Sequence, residues 1–208
     1  MSDASDESSV GGLSPYQREL RKRFLAAPQV AAPAPWRQVF DPYVAVGGLL
    51  GIGFGVDPGS GGDLVMVVSH DGHGLFDAVT GERIARDRDP DPEGDVPDGP
   101  DLSCPGLGPL EGVRVRIAGL YGGGLHTSAS GGWSVDVVAP DWPHERVLLS
   151  GDGGMPHRGP HGEKWWHVFH SRWSELRAVG FSPSGRTLAV ATSSDLTLWT
   201  RAEERQDG

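Results

Sequence analysis

Apolar and polar positions along the chain follow two periods, first near four residues and then near two. Tyr16, Leu20 and Phe24 recur every fourth residue, while Arg18, Arg21, Lys22 and Arg23 mostly fall elsewhere. That is the single apolar stripe of an amphipathic helix. Ser14 stands where an N-cap belongs, Pro15 at the first helical position, and Gln17 where a capping box places its partner. A short helix over Pro15–Ala26 is therefore predicted, docked on the edge of the domain. The sharper alternative is a peptide-like docking helix for a partner protein. Pro28, Pro33 and Pro35 follow as an extended linker, so 13–35 reads as helix plus linker. Residues 1–12 lack apolar periodicity and read as a disordered tail, and 202–208 as a second tail.

From residue 36 the period is two. The run 44–56 reads VAVGGLLGIGFGV, in which Gly51, Gly53 and Gly55 alternate with Ile52, Phe54 and Val56. Successive strand residues point to opposite faces. The glycines therefore share a bare face that a second backbone can approach closely. Apolar runs follow at 64–69, 74–78 and 83–86, separated by a His70-Asp71-Gly72-His73 turn and a Thr80-Gly81-Glu82 turn. Together they predict an antiparallel meander with tight turns. A second meander is expected over 113–120, 125–130, 133–139 and 146–149, and a third over 177–182, 187–192 and 195–200. Residues 87–112 between the first two read as an acidic loop.

The third meander carries a resemblance. The segment Gly180-Phe181-Ser182-Pro183-Ser184-Gly185-Arg186, running into Thr187-Leu188-Ala189-Val190-Ala191, resembles the first two strands of a WD40-type propeller blade. Asp195-Leu196-Thr197-Leu198-Trp199 resembles the strand that follows. Leu75-Phe76-Asp77-Ala78-Val79-Thr80-Gly81 resembles that family's Leu-Trp-Asp-x-x-Thr-Gly segment, with Phe76 in the tryptophan place. Gly53-Phe54 lies about three repeats of about 40–45 residues ahead of Gly180-Phe181. The likeness covers about 50–86 and 177–201. It departs from the family in having no Gly-His dipeptide at a standard place and Thr200 instead of Asp after Trp199. The resemblance implies that Thr192, Asp195 and Trp199, with His170 as the histidine, form a buried hydrogen-bonded set bracing the last blade. It further implies that 37–46 completes that blade by pairing with 195–200. Closed propellers have about four to eight blades, and this chain supplies about three. The expectation is a propeller-like barrel of three units, or a six-bladed ring formed by a homodimer.

Composition changes this picture in a few places. The chain of 208 residues holds 32 glycines and 17 prolines, roughly twice their usual share. Glycine and proline cost a helix about 1 and 3 kcal/mol per residue, so a long-helix bundle is excluded and a turn-dense β protein favoured. Eighteen basic against 28 acidic residues give a net charge of −10. That balance opposes phosphate-backbone binding and adhesion to an anionic membrane. The longest apolar run, 44–56, falls short of the about 20 residues that a bilayer requires, and the acidic N-terminus does not read as a signal segment. Cys104 is alone, which excludes an intrachain disulfide. A cytoplasmic protein with no nucleic-acid or membrane partner is the expectation.

Candidate chemistry is sparse. His70, Asp71 and His73 are the candidate binding residues, because imidazole beside carboxylate can relay protons or hold zinc. Asp87, Asp89, Asp91 and Asp98 match positions 1, 3, 5 and 12 of a calcium loop, yet Pro92 replaces its glycine. A solvated, proline-stiffened loop is the plainer reading. No nucleophile elbow, Ser-x-x-Lys pair or Walker loop occurs, and Cys104 reads as a buried apolar residue. His157 and His161 are expected to be exposed. Trp165, Trp166, Phe169 and Trp173 read as core, with a sugar- or partner-binding surface as the alternative. The sequence therefore predicts an all-β, propeller-like interaction module for a protein partner, without a cofactor. A metal-dependent or His/Asp-based enzyme is the competing class.

Overall fold

The computed structural model describes residues 12–90, 97 and 100–201. Helix α1 spans Pro15–Ala26, as the stripe predicts. Ser14 Oγ accepts the Gln17 N–H at 3.2 Å, and Gln17 Oε1 accepts the Ser14 N–H at 2.8 Å. Phe24 is buried and Leu20 half-buried, whereas Tyr16, at the far end of the stripe, is exposed.

The remainder is antiparallel sheet. Two short strands, β1 (Arg37–Gln38) and β2 (Val44–Ala45), precede β3 (Leu49–Val56), β4 (Asp63–Ser69), β5 (Gly72–Asp77) and β6 (Arg83–Asp87). Strands β3 to β6 pair in chain order as the first sheet. The predicted run 44–56 is thus two strands in different sheets, divided at Gly47-Gly48, where Gly48 takes a φ of 63°. Next, β7 (Ser103–Pro105) pairs with β8 (Arg114–Arg116), and β9 (Ala118–Gly119) joins the first sheet beside β3. This corrects the expectation that 113–120 opens the second meander. The reason is the glycine face: a Cβ on Gly53 would lie 2.1 Å from the Arg116 carbonyl oxygen, and one on Gly51 2.7 Å from that of Ala118. Bare glycines admit this backbone where side chains would exclude it.

The second sheet is β10 (Ser128–Ala129), β11 (Trp133–Asp141), β12 (His144–Ser150) and β13 (Trp165–Ser171), in that order. The third is β14 (Leu176–Phe181), β15 (Thr187–Thr192) and β16 (Asp195–Thr200), completed at its edge by β1 and β2. Arg37 pairs with Thr200, and Val44 with Leu196. The expected return of 37–46 onto 195–200 is therefore observed.

The three sheets stack with the third in the middle. Ile52, Val65, Val67 and Phe76 of the first sheet pack on Ala178, Ala189, Ala191 and Leu198 of the third. The third sheet's other face presents Phe181, Leu188, Val190 and Trp199 to Val135, Val147, Leu149 and Val168 of the second. Burial on both faces explains why β4 and β15 read as continuous apolar runs. Two polar ties cross between layers. Asp63 Oδ2 on β4 accepts the hydroxyls of Ser182, Ser184 and Thr187 at 2.7–2.9 Å. Arg201 donates to Gly185 O and Ser130 O at 3.0 and 2.8 Å.

The outer face of the first sheet is covered by Cys104, Leu110, Val115 and Ile117, and that of the second by α1. Among the described residues the three sheets form an antiparallel stack that does not close into a ring. The predicted tails lie outside the described residues apart from Gly12, as do 91–96 and 98–99 of the acidic stretch.

Candidate functional site

The hairpin between β4 and β5 turns on His70 and Asp71, so both side chains are exposed at its tip. His73 lies two residues into β5, opposite Val68 and Asp87, and is buried. The three candidates therefore do not converge. Asp71 and His73 do line one recess, between β2 and the first sheet, with Arg83 and Arg86 at its rim. Its volume is about 120 Å³, below the roughly 300–1,000 Å³ of ordinary ligand pockets. Among the described residues, no three His, Cys, Asp or Glu side chains group as metal ligands.

Other expectations are redistributed. Thr192 Oγ1 accepts the Asp195 N–H at 3.1 Å, and Trp199 is buried. His170, however, sits on the outer face of the second sheet beside Arg146, remote from that turn, because β13 belongs to a different layer. Asp63, which the sequence reading missed, supplies the buried carboxylate brace instead. The only signal for it is the hydroxyl-rich Ser182-Pro183-Ser184 turn that it serves. Cys104 is buried, as expected. Asp89 donates its N–H to Asp87 Oδ1 at 3.0 Å, while Asp91 and Asp98 of the calcium pattern lie outside the described residues. His157 and His161 are half-buried, not exposed, and the His161 ring meets Trp165 edge-on at 4.8 Å.

The aromatic group at 165–173 is split by its strand. Trp165 is fully buried and Trp166 and Phe169 pack at the core margin. Trp173, in the loop after β13, is 94% exposed. Across from it Trp142, at the tip of the β11–β12 hairpin, is 80% exposed. The two indoles flank one groove of about 420 Å³ whose other walls include His144, Glu145, Arg172 and Glu175. Glu145 is half-buried, and that burial, together with the nearby Glu175 charge, lifts its carboxyl above the usual range against the pull of the Leu176 N–H. Glu175 is paired with Arg177 at 2.9 Å, and Arg172 Nε points at His170 Nδ1 at 3.1 Å.

Behind the groove, a polar cluster joins the second sheet to α1. Arg146 Nη1 donates to the carbonyl of Phe24 at 2.7 Å, and its Nη2 meets Asp141 at 3.3 Å. His167 Nδ1 contacts Ala27 O at 3.1 Å. The last carbonyls of a helix have no partner within it and carry the negative end of its dipole, so a buried arginine there is well placed. Burial, aided by Arg146, pushes the His167 imidazole down to about 4, although its contact with Ala27 O opposes the shift. His170 is lowered by burial, Arg146 and Arg172. No protein-family model, curated protein or solved structure matches this chain.

Proposed function

We propose that the chain is a protein-interaction module, built on a propeller-like stack of WD40-type units, that receives its partner at the Trp142–Trp173 groove. One observation carries this reading: two tryptophans, 80% and 94% exposed, face a single groove. Such exposed indoles stand out in a chain whose other five tryptophans are buried or half-buried, and tryptophan is enriched among the residues that dominate binding energy. The groove's size falls within the range of pockets that hold a side chain or small ligand. The propeller-like scaffold is supported by the N-terminal strands that close the third sheet and by the Pro-x-Gly turn between β14 and β15. The net charge of −10 argues for a protein partner over nucleic acid or an anionic membrane, and the module is assigned to the cytoplasm.

The test is affinity capture with the full chain and with its W142A/W173A variant, checked for an unchanged melting temperature. Loss of specific partners from the double variant is expected, and an unaltered capture profile overturns the reading. A His/Asp-based enzyme is favoured by one observation, the shared recess of Asp71 and His73. Stoichiometric zinc in the purified protein, lost in H73Q, would move the assignment to it.

A further inference from the structure

Resting on that reading of the groove, we propose that its occupant is a cationic side chain, an arginine or lysine on a basic segment of the partner protein. Glu145 is the group that points to this chemistry. It lies half-buried on the wall of the groove that the two exposed indoles also line, and no arginine, lysine or histidine pairs with it among the described residues. Of the neighbouring cations, Arg177 pairs with Glu175 and Arg146 with Asp141, while Arg172 turns its Nε–H to the His170 ring. A half-buried carboxylate without a counter-charge is unfavourable, and a second carboxylate beside it adds repulsion. An incoming cation relieves both.

The tryptophans suit the same guest. An indole face attracts a cation within about 6 Å of its centre, more strongly than the other aromatic rings. Guanidinium adds planar stacking and a forked set of donors for a carboxylate. The fold already uses this contact twice, with Arg23 5.2 Å from the ring centre of Trp165 and Arg201 5.2 Å from that of Trp36. In those cases the arginine comes from this chain, whereas among the described residues no cation stacks on Trp142 or Trp173. The charge of −10 would draw a basic segment towards the surface from a distance, and the groove would then select it at close range.

The probe is a triarginine amide, compared with its tricitrulline counterpart, which keeps the shape and removes the charge. Binding to the full chain is followed through the indole N–H signals of Trp142 and Trp173, assigned with W142F and W173F. We expect triarginine to shift both signals and to bind about tenfold or more tightly than tricitrulline. W173A and E145Q should each weaken it about fivefold or more, with unchanged melting temperature. Because W173A leaves the net charge intact, its effect separates the groove from diffuse attraction to an acidic surface. Equal affinity for tricitrulline, full affinity in E145Q or W173A, or unshifted indoles each overturn the proposal. If partner capture still depends on Trp142 and Trp173 while triarginine leaves them unshifted, the cationic guest fails and the interaction reading stands.

Discussion

The two ends of the sheet stack are closed by segments that do the same topological work with different chemistry. On the first sheet, Cys104, Leu110, Val115 and Ile117 sit on Leu50, Leu64, Met66, Val68 and Leu75, all buried, and a backbone segment lies against the bare glycines of β3. On the second sheet, α1 brings Phe24 and Ala27 to Leu148 and Trp165, with Leu20 and Val138 at the margin. Much of its remaining attachment is polar, through Arg146 and His167 to the carbonyls at its C-terminal end. Atoms of Asp141, Arg146, His167 and His170 in that cluster are buried without a hydrogen-bond partner among the described residues. The difference teaches where the molecule can open. An apolar covering fitted to glycines resists most changes of solution, whereas one held by charge and imidazole responds to protonation.

The largest effect should come from the glycine contact. Gly53→Ala would place a methyl 2.1 Å from the Arg116 oxygen and 2.8 Å from Val115 Cγ1, and backbone on one side leaves little room to yield. We expect a loss of about 3 kcal/mol, read from the denaturant midpoint. A loss well under about 1 kcal/mol would mean that this covering is loosely held and that the contrast with α1 is overstated.

Acidification should act next, and at the opposite end. His167 is fully packed and its imidazole is depressed from the ordinary 6.5 to about 4. Between those values the unfolded chain binds the proton and the folded one refuses it. The stability this group contributes is therefore complete above 6.5 and declines as pH falls towards 4, by at most about 3 kcal/mol. The depressed His170 adds in the same direction. The expected reading is a pH-dependent midpoint that flattens in H167Q. A wild-type slope unchanged by that substitution would remove His167 from the account.

Arg146→Ala should cost about 2 kcal/mol, because it strips a charged donor from the Phe24 carbonyl and a counter-charge from Asp141. Hydrogen exchange locates the loss: α1 amides should exchange faster while β4 and β15 amides keep their protection. Equal loosening of all three would show that the helix and the sheets open as one unit.

How much of this was legible in the sequence depends on whether the signal was local. The helix and its cap follow from residues within one turn of each other, and the hairpins of the first and third sheets from short turn sequences between alternating runs. The bare face of β3 was readable from Gly51, Gly53 and Gly55, but not the identity of the segment laid on it. That is why 113–120 was assigned to the wrong sheet. The separation of Trp173 from Trp165 was likewise hidden, since only the end of β13 decides which aromatics enter the core. Trp142, in a Pro-Asp-Trp-Pro turn, carried no chemical motif at all. Glu145 becomes notable only once the third dimension shows which cations are engaged elsewhere.

The smallest predicted effect is the most discriminating. Ser14→Ala deletes the side-chain acceptor of the Gln17 N–H, and its expected cost is about 1 kcal/mol. Ser14 is exposed and its hydrogen bonds among the described residues run to Gln17 and Arg18 of α1, so the consequence should travel through α1 itself. If α1 is a separable covering, its amides should exchange faster by the whole of that cost while the global midpoint scarcely moves. If the midpoint falls by the same amount, the helix is an integral part of the cooperative core. The polar cluster beneath it would then stabilise the stack as firmly as the apolar covering at the other end.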